Sequence, residues 1–351
     1  MHWRDLPAPI LARLRAGTVL PAHPLALTAE RRLDLRRQRA LTRYYLDAGA
    51  GGIAVGVHAT QFAVREADLY EPVLRLGADT ARDWASEAPI LIAGLVGQTR
   101  QALAEADTAV GLGYHAGLLS LGALRGASED ELVAHCAAVA ARVPLFGFYL
   151  QPAVGGIELG RTFWRRFAEI DNVVAIKVAP FDRYRTLDVL QGLADARAED
   201  RISLYTGNDD HIVLDLVTPF AVARDNALVP LRLVGGLLGH WSVWTKAAVA
   251  LHARCRSAAE ADAVPADLLA LDAQVTAMNA AVFDVANGFR GCIPGCHEVL
   301  RRQGLLAGTW CLDPDETLSP GQAELIANAA RDHARLTDDT FVAANLERWL
   351  A

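Results

Sequence analysis

Short apolar segments alternate with helix-like segments along most of this chain of 351 residues. Each apolar segment is typical of a buried strand in a parallel sheet, where both faces are covered. Strands that alternate with helices form parallel sheets, because each helix carries the chain back to the start of the next strand. Eight strand candidates fit a (β/α)₈ TIM barrel better than an open sheet. They are residues 17–21, 53–56, 89–94, 116–120, 145–149, 172–180, 202–206 and 231–234.

Helix signals support this alternation and suggest three regions. Thr28 is positioned to cap a helix that runs to Asp47, and Ser128 begins a capping box for a helix through Val143. After Trp241 the pattern is helical only, and Pro320 with Gln322 marks a further helix start. We therefore expect an N-terminal lead over residues 1–15, the barrel over 16–255, and a helical extension packed on the barrel over 256–351.

Composition narrows the class of protein. Apolar residues make up 52% of the chain and charged residues 21%, which supports a large core in a soluble protein. The formal net charge is −7 and no basic run occurs, so nucleic acid is not an expected partner. No apolar run reaches the roughly 18 residues of a membrane span. The five cysteines are odd in number and scattered, which predicts a reducing, cytoplasmic location.

Three familiar site patterns are missing. Cys292-x-x-x-Cys296-His297 has no second ligand pair at zinc spacing, so ordinary helix packing is favoured over metal binding. No serine lies in a Gly-x-Ser-x-Gly elbow, and the paired glycines do not form a Gly-x-Gly-x-x-Gly loop. The sequence therefore predicts neither a metal nor a dinucleotide cofactor.

Lys177 is the one charged residue in the apolar run from Asn172 to Pro180. An ammonium group in an apolar interior is costly, so either it reaches water at the rim or its pKa falls toward neutrality. A neutral lysine amine is a nucleophile that forms a Schiff base with a carbonyl group. A lysine that only extends to solvent at a strand end is the structural alternative.

The active site of a (β/α)₈ barrel lies at the carboxyl ends of its strands. Tyr149 ends the fifth strand candidate, where a phenol could relay the protons of Schiff-base chemistry. His58 follows the second strand and could hold a carboxylate or act as a base. Asp209 and Asp210 follow the seventh strand, where they could serve as an acid or base or cap a helix.

These motifs resemble the dihydrodipicolinate synthase and N-acetylneuraminate lyase superfamily of class I aldolases. The similar segments are Tyr149-Leu-Gln-Pro152, Asn172-Val-Val-Ala-Ile-Lys177 and Thr206-Gly-Asn-Asp209, within roughly residues 15 to 255. The resemblance implies that Lys177 is the Schiff-base lysine, that Tyr149 relays protons, and that Gly207 lies beside the site. It also implies that Trp241 occupies roughly the position where the family has an apolar residue whose backbone faces the substrate.

The chain departs from this superfamily where keto acids are bound. The family's Gly-Thr-Thr-Gly-Glu loop falls on residues 56–60, which are Gly-Val-His-Ala-Thr and retain only Thr60 of the hydroxyl pair. The arginine of the synthases is replaced within Ala153-Val-Gly-Gly156, and the aromatic hydroxyl expected after strand four is missing from residues 120–124. Without these groups a substrate carboxylate is left unpaired.

The sequence therefore predicts a Schiff-base lyase or aldolase for a small carbonyl compound, with a 2-keto acid as one option, and not a true dihydrodipicolinate synthase. We expect substrate contacts from His58, Thr60, Gln151, Asn208, Gly207 and Trp241. A dehydratase on the same lysine, acid–base chemistry through His58 and Asp209, and a non-catalytic ligand-binding barrel remain alternatives. The resemblance also implies a homo-oligomer, a dimer or a tetramer.

Overall fold

The computed structural model describes residues 1–351 and contains a barrel of eight parallel strands. Neighbouring strands follow the order β1-β10-β7-β6-β5-β4-β3-β2, and a bridge between Ala22 and Ala54 joins the two ends. The predicted (β/α)₈ TIM barrel is confirmed. The ten strands are β1 (Val19–Pro21), β2 (Gly52–Val55), β3 (Ile90–Leu95), β4 (Ala116–Leu119), β5 (Leu145–Leu150), β6 (Val173–Ala179), β7 (Ser203–Thr206), β8 (Phe220–Arg224), β9 (Ala227–Leu231) and β10 (Leu233–Leu238).

Helices surround the barrel and also close it at its amino end. They are α1 (Ala8–Ala16), α2 (Leu35–Ala48), α3 (Tyr70–Trp84), α4 (Thr99–Gly111), α5 (Glu129–Ala140), α6 (Arg161–Ala168), α7 (Arg183–Asp195), α8 (Ile212–Val217), α9 (Thr245–Ala259), α10 (Ala266–Val282), α11 (Cys292–Arg302), α12 (Gln322–Asp332) and α13 (Asp339–Leu350). Helix α1 buries Ile10 and Leu14 in the interior cluster of the barrel. The hydroxyl of Tyr205 donates a hydrogen bond of 2.8 Å to the carbonyl of Leu14, which fixes this helix beneath the barrel.

The eighth barrel strand begins later than the sequence suggested. Leu231 belongs to the antiparallel hairpin of β8 and β9, and the barrel strand β10 runs from Leu233 to Leu238. Gly235 and Gly236, which the sequence suggested would end this strand, lie inside β10. A Cβ atom on Gly235 would lie 2.4 Å from the carbonyl oxygen of Thr18, and one on Gly236 would lie 2.6 Å from the ring of Trp241. Glycine is therefore required here by close neighbours and is not a strand terminator.

Helix starts were predicted with mixed success. The capping box at Ser128 is present, although α5 ends at Ala140 and not at Val143. Helix α2 begins at Leu35, capped by Asp34, so the predicted cap at Thr28 is wrong. Helix α12 begins at Gln322, because Gly321 adopts a left-handed conformation with φ of 81° and the helix cannot extend back through it.

The C-terminal helices pack directly on the barrel's helical layer. The hydroxyl of Tyr44 on α2 donates a hydrogen bond of 2.7 Å to Asp338, and Trp349 on α13 is fully buried. Helix α9 runs through residue 255, where we expected the barrel to end, and the division into regions remains a prediction. None of the helices is both long and apolar enough to cross a membrane.

Candidate active site

A cavity opens at the carboxyl ends of the barrel strands, where such barrels place their active sites. Its volume is about 620 Å³ including the open mouth, and apolar side chains dominate its lining. The strands supply Phe148, Leu150 and Lys177, and the loop after β2 supplies His58. The remaining lining residues come from β6, from the loops after β1, β2, β5, β6, β7 and β10, and from the C-terminal region.

Lys177 lies on the inner face of β6 and reaches into this cavity. It is one of only two lysines in the chain, since arginine supplies nearly all the other cationic side chains. Its ammonium nitrogen lies 4.4 Å from the centre of the Phe148 ring, and no carboxylate forms an ion pair with it within 4.0 Å. Burial lowers the pKa of Lys177 to about 8, although Asp209 and Cys292 oppose this shift. A substantial fraction of this amine is therefore neutral near pH 8.

Gly207 leaves the space that Lys177 occupies. A Cβ atom at this position would lie 2.5 Å from Cε of Lys177 and 2.7 Å from Cβ of Ala179. The loop after β7 therefore packs flat against the lysine side chain. Gly207 also lies in the cavity lining, and its place beside a substrate remains a prediction.

Asp209 is the carboxylate of the cavity. It is buried, and its Oδ1 accepts a hydrogen bond of 3.0 Å from the backbone N–H of His240. Asn279 of α10 holds the same residue by donating a hydrogen bond to its carbonyl oxygen. Burial raises the pKa of Asp209 to about 7, while the His240 bond and Lys177 lower it. The group can therefore both give and take a proton near neutral pH.

Asp209 does not cap the helix that follows it. Helix α8 begins at Ile212, and the backbone N–H of Leu214 instead donates a hydrogen bond of 3.1 Å to Asp272 on α10. Because a distant aspartate takes the capping role, Asp209 is free to face the cavity. Sequence reasoning gave capping too much weight at this position.

His58 and Gln151 line the cavity, and their contact with a substrate remains a prediction. His58 lies in a short 3₁₀ turn after β2, with its ring edge against Phe62. Burial, together with the nearby Lys177, lowers the pKa of His58 to about 4. The imidazole is therefore neutral at physiological pH, so it can donate or accept a hydrogen bond but does not supply a positive charge for a carboxylate.

Tyr149 does not reach the cavity, and its predicted position beside Lys177 is wrong. Its ring packs against Trp164 of α6 at 5.4 Å, and its hydroxyl accepts a hydrogen bond from the backbone N–H of Leu159. Successive strand residues face opposite sides of a sheet, and Phe148 is the residue paired with Lys177 on the inner side. Tyr149 is one residue after Phe148, so its phenol points to the opposite side of the sheet, toward the outer helices.

Three further predicted contacts also lie outside the cavity lining. The hydroxyl of Thr60 accepts from the N–H of Gly56 and donates to the carbonyl of His23, so both bonds hold the turn after β2. The side chain of Asn208 accepts from the N–H of Phe181 and donates to Asp215, which ties the loops after β6 and β7 together. Trp241 is buried against His252 in the outer core.

Sequence reasoning missed most of the aromatic wall. Phe148 could have been found from strand alternation, because it shares the inner face with Lys177. Phe181, Phe283, Phe289 and Cys292 come from loops and from the C-terminal region, and no local pattern marks them. No group of three or more His, Cys, Asp or Glu side chains is arranged to hold a metal ion.

The fold and the site together define the class: a (β/α)₈ barrel with a buried lysine on its sixth strand, facing the cavity at the barrel mouth. Residues 16–218 match the profile of the Dihydrodipicolinate synthetase family, and the chain belongs to this family. The resemblance to the dihydrodipicolinate synthase and N-acetylneuraminate lyase superfamily is confirmed, with this chain as a divergent member.

Curated relatives are distant and cover part of the chain. A 4-hydroxy-tetrahydrodipicolinate synthase of Exiguobacterium sibiricum is 28% identical over 199 residues, which is 56% of this chain and 64% of the relative. A protein of the same name from Halorhodospira halophila is 24% identical over 178 residues, 50% of this chain and 57% of the relative. The matched segments thus span less than two thirds of either relative.

Solved structures resemble the whole fold. A dihydrodipicolinate synthase from Acinetobacter baumannii, solved with pyruvate, has a TM-score of 0.73 at 20% identity and covers 90% of this chain and 98% of its own. An N-acetylneuraminate lyase from Fusobacterium nucleatum has a TM-score of 0.71 at 14% identity, covering 91% and 99%. At such identities the likeness concerns the fold.

Proposed function

We propose that this protein is a Schiff-base lyase in which the neutral amine of Lys177 attacks the carbonyl carbon of a small substrate. The observation that carries the proposal is the placement of Lys177, which is buried in the cavity, has no ion-pair partner and has a lowered pKa. Burial without a counter-charge favours the uncharged amine, which is the reactive form. Class I aldolase chemistry is the established activity of the family and uses this kind of lysine.

Asp209 takes the role of proton carrier that the sequence gave to Tyr149. Attack by the amine forms a carbinolamine, and loss of its hydroxyl as water leaves an iminium. This loss needs a proton from an acid, and Asp209 can supply one because burial raises its pKa. The carboxylate of Asp209 then takes the proton of the substrate's β-hydroxyl as the carbon–carbon bond breaks, which releases one carbonyl fragment and leaves an enamine on Lys177. Asp209 returns the proton to the enamine carbon, and its carboxylate takes a proton from the water that hydrolyses the resulting iminium and releases the second product.

The synthase reaction of lysine biosynthesis is not the proposed activity. The cavity lining contains no arginine and no side-chain hydroxyl. The hydroxyl of Thr60, the remnant of the family's carboxylate loop, is already used by two backbone hydrogen bonds. A carboxylate in this cavity would therefore meet neutral His58 and Gln151, and it would compete with Asp209 for Lys177.

Borohydride trapping tests the proposal. The protein is incubated with pyruvate, hydroxypyruvate and simple aldehydes, reduced, digested and analysed by peptide mass. We expect a reduced adduct on the peptide that contains Lys177, while the exposed Lys246 reports background labelling within the same sample. A Lys246→Arg variant removes that background. Labelling confined to Lys246 across the panel contradicts the proposal.

Dehydration of a hydroxy acid on the same lysine is the second candidate, supported by the same amine and carboxyl pair. Product analysis separates the two reactions, because dehydration keeps the carbon skeleton whole and aldol cleavage divides it. Retention of most activity in Lys177→Ala would instead favour acid–base chemistry through His58 and Asp209, and stoichiometric binding without product would favour a ligand-binding barrel. A homo-oligomer remains part of the proposal.

A further inference from the structure

The cavity is enclosed by phenylalanine rings on the side opposite the barrel floor. Phe181 comes from the loop after β6, while Phe283 and Phe289 come from the segment between α10 and α11. The rings of Phe181 and Phe289 meet edge to face, with centroids 6.0 Å apart and planes at 67°. With Phe148 beside the lysine, four phenylalanines line the cavity that holds the nucleophile.

Two of these phenylalanines adopt a conformation that costs energy. Phe181 has φ of 53° and Phe289 has φ of 68°, both in the left-handed region that bulky residues rarely occupy. Each such residue costs on the order of 1–3 kcal/mol, and strain of this kind clusters at ligand clamps. Phe181 is held in place by Asn208, whose side chain accepts its N–H at 3.0 Å.

Both strained rings are also only partly buried. A core residue recovers the cost of strain by complete burial, which is not the case here. Phe289 packs against the main core and Phe181 does not, but both side chains line the cavity. Aromatic rings that present edges and faces to an open space are suited to a second aromatic ring, since such pairs gain roughly 0.5–1.5 kcal/mol beyond area burial.

The charged groups of the cavity determine whether a substrate carboxylate is accepted. Lys177 is consumed by bond formation and Asp209 is anionic once it has given its proton. The iminium nitrogen is then the one positive charge of the lining, the anionic Asp209 competes with a substrate carboxylate for it, and no arginine or side-chain hydroxyl is present to bind that carboxylate. From the phenylalanines that line the cavity and from this charge pattern we infer that the site takes an uncharged carbonyl compound bearing an aryl group, with no carboxylate on the carbonyl carbon. This inference rests on the proposed Schiff-base function.

The covalent step is the condensation already described, written for this class. The lysine amine and an aryl-bearing aldehyde give an imine and one molecule of water, with no oxidant or reductant required. The aryl group then packs against the phenylalanine side chains that line the cavity. Imine formation with such aldehydes is reversible, and borohydride makes it permanent for measurement.

Four probes that differ in aryl group and carboxylate test the inference. Phenylacetaldehyde has the aryl group alone, phenylpyruvate has both, pyruvate has the carboxylate alone, and butanal has neither. We expect half-maximal labelling of Lys177 by phenylacetaldehyde at a concentration at least about ten-fold below each of the other three. Equal or better labelling by any of the other three overturns the inference while leaving Schiff-base chemistry intact.

A non-covalent readout separates the two proposals. If no probe labels Lys177, the Schiff-base function fails, and thermal shifts with 2-phenylethanol, 3-phenyllactate, lactate and butan-1-ol then decide aryl binding. A shift largest for 2-phenylethanol supports the aryl site, because a ligand that binds only the folded state raises the melting temperature. Equal shifts for 2-phenylethanol and butan-1-ol overturn it.

Phe289→Gly tests whether the ring serves the ligand or the fold. Glycine relieves the strained φ, so we expect an unchanged or raised melting temperature together with loss of the ten-fold preference for phenylacetaldehyde over butanal. Tyr184→Ala is the control, because Tyr184 is an aromatic residue on α7 that is 83% exposed. A Phe289→Gly variant that keeps the aryl preference overturns the inference.

Discussion

Gly207→Ala is expected to slow imine formation at Lys177 by about ten- to a hundred-fold, because it moves the nucleophile without changing its chemistry. The added Cβ would lie 2.5 Å from Cε of Lys177 and 2.7 Å from Cβ of Ala179. Carbon atoms in ordinary contact are about 3.5 Å apart, so one of these groups must move by roughly 1 Å. Ala179 belongs to β6 and cannot move alone, whereas the lysine side chain is flexible. The displacement therefore falls mainly on Lys177.

The expected cost in stability is modest. Overpacking of a buried site typically lowers the free energy of unfolding by about 1–3 kcal/mol, and here the flexible lysine absorbs part of the overlap. The melting temperature should therefore fall slightly, while the protein remains folded. A loss of labelling much larger than the loss of folded protein identifies a change in the position of the amine.

The assay is the initial rate of reduced adduct formation on the peptide that contains Lys177, read by peptide mass in the Lys246→Arg background. Gly111→Ala is the matched control, since a Cβ at Gly111 meets nothing within 4 Å. This helical substitution should leave labelling unchanged and raise stability by about 0.5–1 kcal/mol. Wild-type labelling and wild-type stability in Gly207→Ala would refute the described packing of Lys177.

Four other substitutions give distinct outcomes. Lys177→Met should be more stable than the wild type at pH 7. The difference in unfolding free energy, measured with urea, should narrow between pH 8 and 10.5. In this range the unfolded wild-type chain holds more protons than the folded one, so the stability of the wild type rises with pH. Tyr149→Phe should keep the labelling rate and lose about 1 kcal/mol of unfolding free energy with the Leu159 hydrogen bond; a large loss of labelling would restore the proton-relay role. Asp209→Asn should shift the labelling profile to lower pH, because Asp209 raises the pKa of Lys177, and should reduce turnover; an unchanged profile contradicts the coupling. Thr60→Val should lower the free energy of unfolding by about 1–3 kcal/mol through two lost hydrogen bonds, and a purely catalytic defect would contradict its structural role.

The barrel was predictable because its signal is repetitive and local. Each parallel strand is a short apolar run and each crossover is a helix, so errors at single boundaries do not change the fold. The hairpin of β8 and β9 was missed although its turn has a recognisable sequence, Asp225-Asn226, with φ of 49° and 63°. Such a pair is typical of a tight hairpin turn with positive φ at both central residues.

The sequence indicated the cavity residue that is recognisable by itself. It did not indicate residues whose position depends on the face of a strand or on contacts between distant parts of the chain. Lys177 could be found because a lone charge in an apolar strand needs an explanation. Tyr149 was misplaced because strand residues alternate between faces, so an offset of one residue exchanges inside for outside. Phe283 and Phe289 reach the cavity only because the C-terminal helices fold back over the barrel mouth, and no short-range pattern encodes that approach.

Selective ¹³Cε-lysine labelling followed by NMR titration tests the central claim most directly. The chain has two lysines, so two signals are expected, and Lys246→Arg assigns them. The account predicts that the Lys177 signal titrates near pH 8, well below the Lys246 signal, and that it moves to the position of an imine when a carbonyl substrate is added. Two lysines that titrate together near pH 10.5, with neither signal changed by any carbonyl compound, would contradict it.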